Sequence, residues 1–216
     1  VPDAQGRILD DLSKVSLFLV SKRSIDPASG ELGGANGVVT AGIEHKMGLK
    51  GNATCSLAFE ESVAYRLGES ASTTGAQRKS SAGMSGMFDM MNSARLGTGL
   101  QALASASRAY GKAADHARER LAGRAAKAAD RTGAPADPIV VHPDVRRLLL
   151  KQASFLEGGR ALGIHVRALL EDAGEIAGVP QALVGGFLTP VVKAFFSDRS
   201  FESANDAMQL MGGHGY

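Results

Sequence analysis

The sequence predicts an α+β chain, with a partial antiparallel β domain followed by a partial helical bundle that has three helices of an expected four. Three observations carry this expectation. Short runs of strand-forming residues lie between turn clusters in the first third of the chain. Apolar residues at spacings of three and four take over further on. Between these regions, residues 70–83 are rich in Ser, Thr, Gly and Ala and read as a connector, so the division is placed between 80 and 81.

The first strand is Val15-Ser16-Leu17-Phe18-Leu19-Val20, and a later one holds Leu57 and Phe59 alternating with Ser56 and Ala58 after Thr54-Cys55. Asp26–Gly30 and Gly33–Gly37 read as turns between them. In the helical part, Met84, Met87, Phe88, Met91, Ala94, Leu96, Leu100 and Leu103 form a stripe that continues toward Tyr110 and Leu121. This long helix is expected to stop near Gly123, with Arg118, Arg120 and Arg124 where a helix C-terminus favours cations.

A linker containing Pro135 and Pro138 leads to His142-Pro143-Asp144, which has Pro early in a first turn and so begins a second helix. That helix buries Val145, Leu148, Leu149, Phe155, Leu156, Leu162 and Val166. A break at Gly178-Val179-Pro180 precedes a third helical segment, interrupted or restarted near Gly185-Gly186. Its buried side is read as Leu188, Val191, Val192, Phe195, Phe196, Phe201, Ala204, Met208 and Met211.

Bulk properties narrow the function. A net charge of +2 with interspersed signs gives no field that gathers nucleic acid or an anionic membrane. Cys55 is the only cysteine, which excludes an intrachain disulfide and fits a reducing compartment, expected to be the cytoplasm. No apolar run approaches the roughly 18 residues of a membrane helix. The chain opens on Val1 rather than Met, and Gly212–Tyr216 follows a helical pattern with no polar tail. Both ends are therefore expected to be cuts through a longer polypeptide.

Few residues offer chemistry by themselves. Glu44-His45 and Glu60-Glu61 are neighbours on strand-like segments and point to opposite faces, so neither pair serves one pocket. Cys55 has no adjacent cation to activate it and reads as a core thiol. The five histidines, at 45, 116, 142, 165 and 214, lack ligand spacing with each other or with a second cysteine, so no metal site is expected. The basic run from Arg118 to Arg131 is interspersed with Asp115, Glu119 and Asp130, which weakens a nucleic-acid reading but leaves phosphate recognition by one arginine open.

Gly212-Gly213-His214-Gly215 allows close backbone approach to an anion or a planar ring, and reads equally well as an ordinary helix stop. Arg95, three residues after Asn92, lies within an apolar stripe, where arginine more often pairs with an acid across a bundle. An unbroken helix separates Arg95 from Arg120 by roughly 37 Å, so the two cannot hold the same phosphate.

Taken in order, Ile43–Gly48, Thr54–Phe59, Met90–Leu96, His142–Arg147, Glu157–Leu162 and Gln209–Tyr216 resemble blocks of the acyl-CoA dehydrogenases, above all the long bacterial branch with an extra C-terminal domain. The resemblance implies that 1–80 is the C-terminal part of a central β domain and 81–216 the N-terminal part of a four-helix bundle. It implies an oxidoreductase of fatty acid metabolism that uses FAD and converts acyl-CoA to trans-2-enoyl-CoA. Its expected partners are the acyl-CoA substrate, further copies in a homodimer or homotetramer that shares FAD across subunits, and an electron-transfer acceptor protein.

Carried over by motif, Arg120 resembles the arginine at the FAD pyrophosphate of a neighbouring subunit, and Gln209, Gly212 and Gly213 resemble the element at the adenosine end of that flavin. His142 is expected to line the same flavin, while Asn92 and Arg95 face the thioester and pantetheine arm. No catalytic base is expected in this chain. The usual glutamate lies beyond the position of Tyr216, and the alternative position on the long helix holds Ala94, whose methyl takes no proton. Leu121-Ala122-Gly123-Arg124 also departs from the family's turn. A non-catalytic subunit of the same fold, completing a flavin site on a partner chain, is the alternative.

Overall fold

A computed structural model of the protein describes residues 16–67 and 82–216. Val15, most of the 70–83 connector and the side chain of Met84 lie outside the described residues. The chain divides into two compact units, Val1–Asp89 and Met90–Tyr216. The α+β class expected from the sequence holds.

In the first unit, short strands pair antiparallel: β1 (Leu17–Leu19) with β6 (Tyr65–Leu67), β2 (Arg23–Ile25) with β3 (Leu32–Ala35), and β4 (Val38–Ile43) with β5 (Cys55–Phe59). The turn expected at 33–37 is therefore half strand. A Cβ on Gly33 would sit 2.3 Å from the Ser24 hydroxyl oxygen, so the Ser24 side chain packs over a bare Cα on β3. The chain bends at Asn36-Gly37, with Gly37 at φ 65°. The Asn36 amide donates to the carbonyls of Ser21 and Val63 and accepts from the Val63 amide, tying three separate segments together.

The second unit is built on α2 (Pro143–Glu171), α3 (Gln181–Met211) and most of α1, which spans Ala82–Glu119. Between α2 and α3 the expected break is a hairpin of β7 (Glu175–Ile176) and β8 (Val179–Pro180). It turns at Ala177-Gly178, both at positive φ, as a two-residue hairpin requires.

On α1 the inward face is Leu96, Gly99, Leu103, Ala106, Tyr110, Ala113 and Ala117, with intervals alternating three and four as in a coiled-coil seam. The facing seams are Leu148, Gln152, Leu156, Gly159, Gly163, Val166 and Leu169 on α2, and Gly185, Thr189, Val192, Phe196, Ser200, Ser203, Ala207 and Leu210 on α3. Small residues let the backbones approach: a Cβ on Gly99 would meet the Lys193 Cα at 3.3 Å, and one on Gly163 would meet Leu100 at 2.8 Å.

This packing corrects three expectations. α3 is continuous through Gly185-Gly186, because Gly185 is a contact residue whose Cβ would lie 3.0 Å from the Leu170 backbone nitrogen. α1 ends at Glu119 rather than near Gly123, and Leu121 leaves the helix to bridge Pro138. On α3, Val191, Phe195, Phe201 and Met208 are exposed rather than buried. Close helix approach selects small and hydroxylated residues for the seam and leaves these large apolar groups on the outer faces.

Candidate functional site

Two ends of the second unit hold the residues singled out above. At the first, the Arg95 side chain is half-buried in a groove of about 350 Å³ lined also by Met91, Ala94, Thr98, Pro190 and Lys193. Among the described residues that line it, Arg95 and Lys193 are charged and none is an acid. Among the described residues Arg95 makes no ion pair, so the cross-bundle acid suggested by its apolar surroundings is not found there. Asn92, three residues earlier, is half-buried beside α3, its amide nitrogen 3.4 Å from where a Gly186 Cβ would stand. Lys193 escaped the sequence reading because a lone lysine on a helix reads as a solvated charge.

At the far end, the last turn of α1 runs through the Arg120 amide, which donates to the His116 carbonyl at 2.8 Å. His116 packs on His214 with ring centroids 5.5 Å apart. That contact sets the glycine turn Gly212–Gly215, directly after α3, against His116, one turn before Arg120 on α1. Gly212 adopts φ 55°, and a Cβ on Gly213 would meet nothing within 4 Å, so this backbone is open on one side. Gln209 is exposed on the preceding turn of α3 and accepts a long hydrogen bond of 3.4 Å from the Tyr216 hydroxyl. The Arg120 guanidinium is exposed and makes no hydrogen bond among the described residues.

His142 caps the start of α2, and its Nε2 lies 2.7 Å from the Ala122 carbonyl oxygen. A carbonyl only accepts, so Nε2 carries the hydrogen in this bond. Its ring also covers Gly123, whose φ of 69° turns the chain there. Thus Arg120, His142, Gln209, Gly212 and Gly213 gather at one end of the three-helix unit, and Asn92 and Arg95 lie toward the other.

Sequence reasoning missed Asp137, assigned to a plain linker. It has no exposed surface, yet it is a carboxylate. It accepts hydrogen bonds from the Ala125 amide at 2.8 Å, the Thr132 amide at 2.6 Å and the Thr132 hydroxyl at 2.8 Å, with Arg124 Nε 3.4 Å away. The Ala125 amide and the Thr132 hydroxyl, aided by the Thr132 amide and Arg124, hold its carboxyl down from 3.8 to about 2 against the opposing pull of burial. Because the folded value lies below the unfolded one, the stabilisation is complete above the unfolded pKa of 3.8 and is lost as pH falls through about 2. Melting curves of the wild type should fall across that window, and Asp137→Asn should lack this part of the decline.

The other candidates stand apart. Glu44 and His45 are exposed just after β4, and Glu60 and Glu61 are exposed after β5. Cys55 begins β5 opposite Ile43. Within the basic run, Arg118 pairs with Asp115, while Arg124 and Arg131 donate to the carbonyls of Ala134 and Ala125.

The described residues thus form a small β unit and a helical unit, with an open glycine turn and an exposed arginine at one end of the latter and a cationic groove at the other. The family comparison gives the class. Residues 81–216 match the model of the acyl-CoA dehydrogenase C-terminal domain, and the chain belongs to the acyl-CoA dehydrogenase family.

Among curated relatives, 3-methylmercaptopropionyl-CoA dehydrogenase of Ruegeria pomeroyi is 36% identical over 205 residues, 94% of this chain and 32% of that protein. The broad-specificity linear acyl-CoA dehydrogenase FadE5 of Mycobacterium tuberculosis is 35% identical over 213 residues, 94% of this chain and 33% of that protein. The chain thus spans about a third of the length of the curated relatives it matches. Among solved structures, ACDH-11 of Caenorhabditis elegans in complex with C11-CoA superposes with a TM-score of 0.70 at 23% identity, over 99% of this chain and 32% of that one. Butyryl-CoA dehydrogenase of Megasphaera elsdenii gives 0.58 at 21% identity, over 93% and 46%. These structural likenesses show the fold.

Proposed function

We propose that these residues serve a full-length, FAD-dependent acyl-CoA dehydrogenase that oxidises an acyl-CoA thioester to trans-2-enoyl-CoA. The observation that carries this reading is the contact of His116, one turn before Arg120 on α1, with His214 of the glycine turn that follows Gln209. An exposed guanidinium and an open glycine backbone at the same end of the unit fit the diphosphate and adenosine end of FAD: the cation neutralises phosphate, and a bare backbone admits a planar ring. Arg120, His142, Gln209, Gly212 and Gly213 would hold that end. When bound, FAD supplies the acceptor for the hydride that leaves the substrate β-carbon.

Asn92 and Arg95 are assigned to the substrate. Asn92 offers an amide beside Gly186 of α3, and Arg95 offers a fixed positive charge in the neighbouring groove, to the polar thioester and pantetheine arm. The base that takes the α-proton is assigned to a carboxylate outside residues 1–216, because Ala94 beside Arg95 has no proton acceptor. With roughly 37 Å of helix between Arg95 and Arg120, one copy's Arg120 serves the flavin of another, which makes a homodimer or homotetramer part of the function. An electron-transfer protein is the assigned reoxidant.

The test is the product. Full-length protein should carry FAD, lose the flavin's visible absorbance when mixed anaerobically with acyl-CoA, and yield the 2-enoyl thioester. A colourless, flavin-free protein defeats the reading.

A further inference from the structure

The segment that joins Arg120 to His142 has almost no apolar core of its own. Between them, only Ala125 and Asp137 are buried. Its two limbs are tied by backbone bonds: the Ala122 amide to the Asp137 carbonyl at 3.0 Å, the Asp137 amide to the Gly123 carbonyl at 2.9 Å, and the Ile139 amide to the Arg120 carbonyl at 2.8 Å. From Arg124 to Ala136 the loop is held mainly by side chains: Arg124 donates to the Ala134 carbonyl, Arg131 donates to the Ala125 carbonyl, and Asp130 pairs with Arg146 at 3.7 Å. The Asp137 carboxylate joins the most of it, gathering the amides of Ala125 and Thr132, the Thr132 hydroxyl and the Arg124 guanidinium.

We propose that Asp137 is a positioning residue for flavin binding, fixing the 120–142 loop so that Arg120 and His142 stand in their binding arrangement before the ligand arrives. The inference rests on the reading of Arg120 and His142 as flavin contacts. Each link of the chain is short. Asp137 carries the backbone bonds that meet Ala122 and Gly123; the Ala122 carbonyl holds the His142 ring, and Gly123 lies beneath it. Pro138, the next residue, bridges Leu121, and Ile139 bonds Arg120 itself. Ligands bind more tightly to sites whose ordering cost has been met during folding, so a loosened loop weakens binding without touching the ligand. A low pKa is the signature of such a carboxylate, fully satisfied by donors.

Asparagine separates this role from mere bulk. Asp137→Asn keeps the volume and one acceptor oxygen, and turns the other acceptor into a donor that faces the Ala125 amide or the Thr132 donors. Thr132→Val is the milder variant, removing one hydroxyl and leaving the backbone bond.

In full-length protein stripped of flavin, FAD affinity and apoprotein melting temperature are measured side by side, with affinity read well below every variant's melting point. Asp137→Asn should weaken FAD binding about tenfold or more and Thr132→Val a few-fold, about the effect of losing charged and neutral hydrogen bonds respectively. Arg120→Ala is the control for the parent reading. If Arg120→Ala weakens binding and Asp137→Asn lowers only the melting temperature, positioning is overturned while the flavin reading stands. Wild-type affinity in Arg120→Ala overturns the flavin reading and the inference with it. Should Asp137→Asn fail to fold, unchanged affinity in Thr132→Val overturns the proposal instead.

Discussion

Phe196→Ala is expected to destabilise the chain by about 3–5 kcal/mol, lowering its melting temperature by roughly 6–20 °C. Phe196 has no exposed surface and fills the space that three glycines leave open. Its ring atoms lie 3.4, 3.5 and 3.7 Å from the positions that Cβ atoms would take on Gly99, Gly159 and Gly163. It also meets Phe155 edge-on at 6.4 Å. Removing it leaves a void lined by helix backbone, which cannot collapse as flexible side chains do. Phe201→Ala is the matched comparison: that ring is 79% exposed, so its loss should change stability by about 0.5 kcal/mol or less. Urea unfolding of the two variants distinguishes a seam built around Phe196 from one in which every aromatic residue of α3 is inside.

The second large effect is expected in the full-length protein. Arg120→Ala should weaken FAD binding at least tenfold, since a hydrogen bond to a charged group contributes about 1.5–3 kcal/mol. The side chain is exposed and makes no bond within the described residues, so its loss leaves the apoprotein's melting temperature nearly unchanged. Equilibrium titration of apoprotein with FAD checks the first statement and calorimetry the second. An affinity loss accompanied by a large fall in stability would instead make Arg120 a structural residue.

Much of this architecture was legible in the sequence because its signals are local. His142-Pro143-Asp144 marks the start of α2 through the fixed φ of proline, and Gly178-Val179-Pro180 marks the hairpin before α3. The seams were harder to read. Gly159, Gly163, Gly185, Thr189 and Ser203 are buried because the helices come close, a property of pairs of helices rather than of any one pattern. Large apolar residues such as Phe201 drew the reading outward for the same reason.

For the site, Gly212-Gly213 and Arg120 were visible as types of residue, yet their placement at one end of the unit depends on His116 packing against His214, which are 98 positions apart in the chain. Asp137 was invisible. An aspartate between alanine and proline looks like solvent-facing linker, and only its four donors reveal otherwise.

The account stands on one geometric claim, that the two ends of α1 work in two different active sites. Mixed oligomers test it directly. Subunits carrying Arg95→Ala are combined with subunits carrying Arg120→Ala, each inactive with its own kind, and acyl-CoA oxidation is measured after exchange. If the ends serve different sites, each hybrid pair has one site with both defects and one with neither, and activity returns. If both arginines serve the same site, every site keeps one defect, the mixture stays inactive, and the account is contradicted.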